Sequence, residues 1–279
     1  MRENWGAKYL NEFIGTYLLV LFGNGAVLVG VIVGAFAGGL WDVSIVFGLG
    51  VTMAIYAVAG VSGAHLNPAV TIALSAYRGF PKSRIIPYVI SQVAGGFAAA
   101  ATYYGAYKGY WIHFEKVNNI VRGQLGSQLS AMPFHGFAPN PAIAGTGPEA
   151  WALVPISTAF LAEIFTAFLL VYFVFAIFDD KNPAAPKGNT GALVLGLLIA
   201  VLIAVEAPLT MTPINPARDF GPRLFAYLAG WGSISIPGPR GEFWLFLLGP
   251  VIGGLIAGFV YDMVHRRFLP GTVRESAEA

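Results

Sequence analysis

Apolar residues in this chain gather into long runs instead of the alternating or 3.6-residue patterns of water-soluble domains. Six runs, at about 9–35, 42–61, 84–107, 152–178, 190–209 and 243–264, reach the length of roughly 20 apolar residues that a helix needs to cross hydrocarbon. Two more, at about 64–77 and 212–229, are apolar but too short to cross. Segments of about 10 alternating residues are absent, which sets aside an outer-membrane barrel. The first run is too long and too interrupted by glycine for a signal segment, and it lacks a clean cleavage site, so it reads as a retained span. The predicted fold class is an all-α membrane protein with six transmembrane helices and two re-entrant half-helices.

The chain repeats itself. Glu12 opens EFIGTYLLVLF and Glu163 opens EIFTAFLLVYF, 151 residues apart. Each short segment carries one triplet, Asn67-Pro68-Ala69 and Asn215-Pro216-Ala217, 148 residues apart. Further on, Gln92-Val93-Ala94-Gly95-Gly96 matches Pro250-Val251-Ile252-Gly253-Gly254. Each half therefore reads span, span, short segment, span. With three spans per half, the second copy starts from the opposite membrane face, so the repeats are inverted. The expected division of this single membrane domain, 1–279, is 1–110 for the first repeat and 151–267 for the second. An outer connecting loop fills 111–150, and a cytoplasmic tail 268–279. Paired short hydrophobic segments at matching positions are the best sequence pointer to a transport site.

Helix-end chemistry explains the triplets. Proline suits the first helical position, where its missing N–H would have had no partner, and asparagine before it is a good N-cap. Each triplet thus predicts a half-helix start after an unwound lead-in. Such backbone is tolerated at membrane depth only when it is buried or lines a water-filled cavity. Inversion brings two N-termini together near the midplane, each bearing about half a positive charge and an amide donor. That site suits neutral hydroxyl compounds and repels cations and protons. One such triplet would read as an ordinary capped helix. Two in register with a whole-chain repeat read as a pore.

Composition narrows the field further. Of 279 residues, 56% are hydrophobic and 11% charged, with a mean hydropathy of +0.68. Soluble domains carry about 25% charged residues, so two water-soluble domains are excluded. A net charge of +2 gives no case for a nucleic-acid partner, and zero cysteines leave no disulfide, thiolate metal site or thiol nucleophile. No cofactor or metal is implied. The side of the termini holds ten Lys and Arg (Arg2, Lys8, Arg78, Lys82, Arg84, Lys181, Lys187, Arg266, Arg267 and Arg274). The other holds Lys108, Lys116, Arg122 and Arg240. The positive-inside rule then predicts a multi-pass plasma (inner) membrane protein with both termini cytoplasmic.

Across about residues 8–265, the segments SGAHLNPAVTIAL (62–74) and NPARDFGPR (215–223) resemble the two signature loops of the aquaporin and glycerol-facilitator family, the major intrinsic proteins. The resemblance implies one pore per subunit and a homotetramer in membrane lipid. It also implies a constriction of Phe47, Ile203, Thr212 and Arg218, and pore-lining carbonyls of Gly63, Ala64, His65, Met211 and Thr212. Water-selective members place histidine where Ile203 stands. Glycerol facilitators have tryptophan at the Phe47 position, a small residue at 203 and an aromatic at 212, so this constriction is mixed. Asp219 and FGPRLFAYLAGWG (220–232) look like the glycerol-conducting branch.

The physical reading of these residues runs parallel. Arg218 shares a half-helix face with Asn215, and an intramembrane arginine is a functional candidate by default, against the plainer role of a snorkelling interfacial charge. An apolar wall opposite a guanidinium suits a solute with CH groups on one side and hydroxyls on the other. Passive passage of glycerol, with water, is the leading reading, and a pore mainly for water or dissolved gas is its alternative. Glu12 and Glu163 are expected to hold the lead-ins by accepting backbone N–H groups, instead of titrating for a coupled transporter. Asp219 is expected to bind nearby backbone N–H groups, and His65 to be a neutral loop histidine instead of a pH gate. Glu206 is expected near the outer mouth on the Ile203 face. Gly34/Gly38, Gly249/Gly253 and Gly254/Gly258 are read as close helix crossings. Gly60-Val61-Ser62-Gly63 fits a serine-nucleophile string, but it has no positioned base and lies in a lead-in, so an enzyme is not expected.

Overall fold

The computed structural model describes residues 4–270. The polar tail from 271 onward lies outside the described residues, as do Arg2 and Arg274. Eight main helices follow one another: α1 (Trp5–Leu28), α2 (Leu40–Ser62), α3 (Pro68–Tyr77), α4 (Ile85–Val117), α5 (Ile156–Ile177), α6 (Gly191–Thr210), α7 (Pro216–Ala226) and α8 (Leu245–Val260). Among the described residues there is no strand, and six helical stretches are long and apolar enough to span a membrane. Helices α3 and α7 are the short pair.

Boundaries differ from expectation where polar residues continue a helix. Helix α4 runs to Val117, seven residues into the stretch expected as loop. At about 1.5 Å per residue its 33 residues reach roughly 50 Å, so its last turns stand clear of the hydrocarbon core. Glu115 on these turns, with Tyr104 three turns earlier on the same helix, holds Arg122, whose guanidinium lies 4.0 Å from the Trp231 ring. The rest of the connection holds short helices Gln128–Ala131, Pro141–Ala144 and Pro148–Leu153.

The repeat governs the packing. Helix α1 packs on α2 and α4, and α5 on α6 and α8, while α2 meets α6 between the halves. Each half-helix crosses over: α3 packs on α8, and α7 on α4. Glycines make these approaches possible at equivalent places. A Cβ on Gly95 would lie 2.3 Å from the Phe13 carbonyl, and one on Gly253 would lie 2.1 Å from that of Ile164. Their neighbours Gly96 and Gly254 face the carbonyls of Ala217 and Ala69, the last residues of the two triplets, at 2.9 and 3.4 Å. The Gly34/Gly38 spacing is no helix crossing. Gly34 ends a π turn (Val29–Val33) at φ 71°, where glycine carries no Cβ penalty, and the Gly38 N–H donates to Asp42 Oδ2 at 2.7 Å. Leu161, Phe165 and Val205 are more than 60% exposed on the outer faces, as a lipid solvent requires.

Candidate functional site

The two half-helices meet tip to tip. Asn67 Oδ1 accepts from Ala69 N (2.8 Å), and Asn215 Oδ1 from Ala217 N (3.0 Å) and Arg218 N (3.2 Å). Both are N-caps followed by proline at the first helical position. With each amide oxygen so fixed, each nitrogen faces the other repeat. Asn67 Nδ2 donates to the Ile214 carbonyl at 3.0 Å, and Asn215 Nδ2 to the Leu66 carbonyl at 2.8 Å. Each amide nitrogen has two hydrogens, so one braces the opposite lead-in and the second is left over. This reciprocal brace was not legible in the sequence, because it joins residues about 150 positions apart.

The lead-ins share one unusual backbone. In the first, Gly63, Ala64 and Leu66 have positive φ (86°, 50° and 50°); in the second, Met211, Thr212 and Ile214 do (67°, 53° and 43°). Left-handed conformation costs a non-glycine residue roughly 1–2 kcal/mol, and Ile214 is β-branched as well. Buried carboxylates hold these turns in place. Glu12 Oε1 accepts from His65 N (2.9 Å), while its Oε2 accepts from Leu66 N (2.8 Å) and Gln92 Nε2 (2.8 Å). Glu163 Oε2 accepts from Ile214 N at 3.0 Å, and its Oε1 meets the Thr210 hydroxyl.

Two cavities run from this region. The larger, of about 380 Å³, is lined on one side by Gly63, Ala64, His65, Thr212 and both asparagines. The facing wall is apolar and includes Leu19, Val51, Ile55 and Ile199. The smaller, of about 200 Å³, reaches Gly39, Met132, Asn140 and Met211. Phe47, Ile203 and Arg218 line both cavities and so form the partition between them. The Arg218 guanidinium carbon lies 5.3 Å from the Phe47 ring centroid. Arg218 is only 2% exposed, and its Nε and Nη1 hydrogen-bond to no protein atom among the described residues. This is a buried cation lining both cavities, not a charge snorkelling to the interface.

One expected position moves. Glu206 does not reach the outer mouth: it lines neither cavity, and its Oε1 contacts Thr210 Oγ1 behind the wall. Ser62 Oγ accepts from Ala64 N at 3.0 Å, while His65 Nδ1 pairs with Thr71 Oγ1 at 3.2 Å, so no serine–histidine couple forms. Asp219 faces away from both cavities. It accepts from Gly136 N (2.8 Å) and forms a buried ion pair with Arg223 (2.7 Å).

Arg223 is a residue that sequence reasoning missed, although its place four residues after Asp219 was a helical pairing signal. It also donates to the carbonyls of Ser235 (2.8 Å) and Gly136 (2.9 Å), clamping the connecting segment over α7. Buried His135 completes the clamp. Its Nδ1 faces the Gly136 carbonyl and must donate, leaving Nε2 to accept from Ser235 Oγ at 2.9 Å. Burial first, then the charge of Arg223, push this imidazole well below its usual 6.5.

Comparison with known proteins agrees with this geometry. The family model for the major intrinsic proteins matches residues 2–261. This chain belongs to the major intrinsic protein family. A glycerol uptake facilitator protein of Escherichia coli (strain K12) is 44% identical over 261 residues, covering 93% of this chain and 88% of that one. One from Haemophilus influenzae is 42% identical and covers 97% and 98%. A propanediol uptake facilitator of Salmonella typhimurium is 38% identical, with 97% and 98% coverage. Among solved structures, the aquaglyceroporin from Plasmodium falciparum superposes with a TM-score of 0.78 at 25% identity, over 94% of this chain and 97% of that one. As a major intrinsic protein it is an integral membrane channel and not an enzyme.

Proposed function

We propose that this channel passively conducts glycerol and similar small uncharged polyols together with water, and excludes ions and protons. The carrying observation is the partition itself: Arg218, two of whose donor nitrogens have no protein partner, lines both cavities together with the apolar side chains of Phe47 and Ile203. A polyol turns its hydroxyls to the donors and its CH edge to the wall, while the fixed positive charge repels cations. The names of the relatives at 42–44% identity support the same solute class.

The roles assigned here follow from position. Phe47, Ile203, Thr212 and Arg218 form the selectivity filter. Gly63, Ala64, His65 and Met211 supply carbonyls that replace solute hydration. Asn67 and Asn215, capped into their triplets with Pro68, Ala69, Pro216 and Ala217, each offer the remaining amide hydrogen to a passing oxygen. Glu12 and Glu163 hold the lead-ins, and Asp219 holds the outer clamp without touching solute.

Ile203 favours a second reading, a pore mainly for water, because its side chain narrows the partition. One experiment separates the two. Reconstituted vesicles are challenged in turn with a glycerol gradient and with an impermeant osmolyte. Conduction of glycerol predicts rapid re-swelling after the glycerol shock, with flux linear in gradient and independent of pH gradient. Water flux without re-swelling establishes the second reading, and saturating, proton-dependent flux overturns both.

We further assign both termini to the cytoplasmic side and four subunits to the assembly, with a separate pore in each. A cysteine replacing Lys116, in a chain that has none of its own, should react with an impermeant thiol reagent applied outside intact cells. The protein mass of the detergent-solubilised particle, measured by light scattering, should equal that of four chains.

A further inference from the structure

The two repeats differ at one buried spot, and the difference concerns protons. In the first repeat Glu12 receives three donors: two backbone N–H groups and the Gln92 amide. In the second repeat two of those donors have been replaced by proline. Pro213 stands where His65 donated its N–H, and Pro250 stands where Gln92 reached in. Glu163 keeps one amide, from Ile214 at 3.0 Å, and turns its other oxygen to Thr210 Oγ1. The same hydroxyl contacts Glu206 Oε1, one helical turn back on α6, where the first repeat has Val58. All three side chains are buried; the hydroxyl and N–H of Thr212 lie near the Glu206 carboxyl, but Oε2 makes no close hydrogen bond.

Hydrogen counting decides the state of this trio. A threonine hydroxyl has one hydrogen, and an ionised carboxylate can only accept. Two carboxylates cannot both be served by one hydroxyl, so a second hydrogen must sit on one of them. Placed on Glu206, it completes a directed chain: Glu206 donates to Thr210, Thr210 donates to Glu163, and both Glu163 oxygens are filled. Placed on Glu163, it leaves an ionised Glu206 with a bare, buried oxygen, which is the costlier arrangement. The surrounding charges agree. Arg218 and Asp219 are the charged groups that act on the trio from α7, Gly249 of α8 lies against Glu163, and Asp219 is neutralised by Arg223. One negative charge on the pair is matched by nearby Arg218, and a second would have no counter-charge among the groups that act on the pair.

We infer that Glu206 is held as a neutral carboxylic acid whose hydrogen bond through Thr210 to Glu163 fixes the Met211–Ile214 segment of the pore wall. Glu206 is thus a positioning residue, acting through Thr210 on a stretch with three left-handed residues. The inference concerns a protonation state and does not depend on which solute passes.

Infrared difference spectroscopy of the full chain in lipid vesicles at pH 7 tests it. The expected result is the carbonyl stretch of a neutral carboxyl, at the intensity of one group per chain, shifting on exchange into D₂O. Glu206→Gln keeps the shape and a donor for Thr210, and should lose that band completely. A wild-type spectrum without the band overturns the inference without recourse to any variant. A band of undiminished intensity in Glu206→Gln overturns it too, since the proton would then reside elsewhere.

Discussion

At the residue scale, identity and consequence meet most closely at position 203. Ile203 is one of three side chains shared by both cavities, and it has neither donor nor acceptor to offer a solute. Its contribution is bulk and an apolar surface. One methylene in a fitted apolar site shifts selectivity by about 1–3 kcal/mol, so Ile203→Gly should raise glycerol flux relative to water by on the order of tenfold. Stopped-flow light scattering on vesicles of both proteins measures the ratio, and an unchanged ratio removes Ile203 from the partition. Arg218 was legible in the sequence because a charge in an apolar run demands a reason. Glu206 carried the same signal but was misplaced. Helical spacing puts it on the Ile203 side of α6, yet it cannot reveal that Thr210 and Glu163 draw the carboxyl behind the wall.

At the scale of elements, the pore depends on how closely helices approach. Helices α2 and α6 carry Phe47 and Ile203, and they touch at Gly48 and Gly196. A Cβ on Gly196 would fall 2.0 Å from Thr52 Oγ1 and 2.4 Å from the Gly48 carbonyl. Overpacking of this kind costs about 1–3 kcal/mol, so Gly196→Ala should lower the apparent Tm in detergent and disturb flux at the adjoining partition. Gly60→Ala, where a Cβ meets nothing within 4 Å, should leave the Tm close to wild type. Equal melting of the two variants would separate this crossing from stability. The glycine pairs at 249/253 and 254/258 were readable as crossings because they recur on one face of a helix. The Gly34/Gly38 pair has the same spacing but falls on a turn, and spacing cannot tell a helix face from a turn whose φ is positive.

At the scale of the whole molecule, the connecting segment is fastened to α7 by buried polar groups as well as by apolar contact, such as Phe134 against Phe225. Its pH response follows from His135. The imidazole is neutral in the folded protein and its folded value lies below 6.5, so below about pH 6.5 the unfolded chain binds a proton that the folded chain does not. Stability should therefore fall as pH drops through that range, by up to about 1.4 kcal/mol per pH unit from this one group. Apparent Tm measured from pH 7.5 down to 5 gives the slope. His135→Asn, with nothing there to titrate, should flatten it, and an unaltered slope would assign the effect to other groups.

What the sequence determined by itself is the architecture: six spans, two half-helices and an inverted repeat. These rest on local physics. Hydrocarbon demands a minimum apolar length, proline and asparagine start helices, and the repeat is written in order along the chain. The tertiary structure alone decided which polar atoms remain unpaired. The Asn67 and Asn215 amides are half-used across the repeat boundary, Arg218 keeps two free nitrogens, and Glu206 is turned inward to a hydroxyl. Hydrogen-bond satisfaction is a property of neighbours in space, and those neighbours lie on elements far apart in the chain.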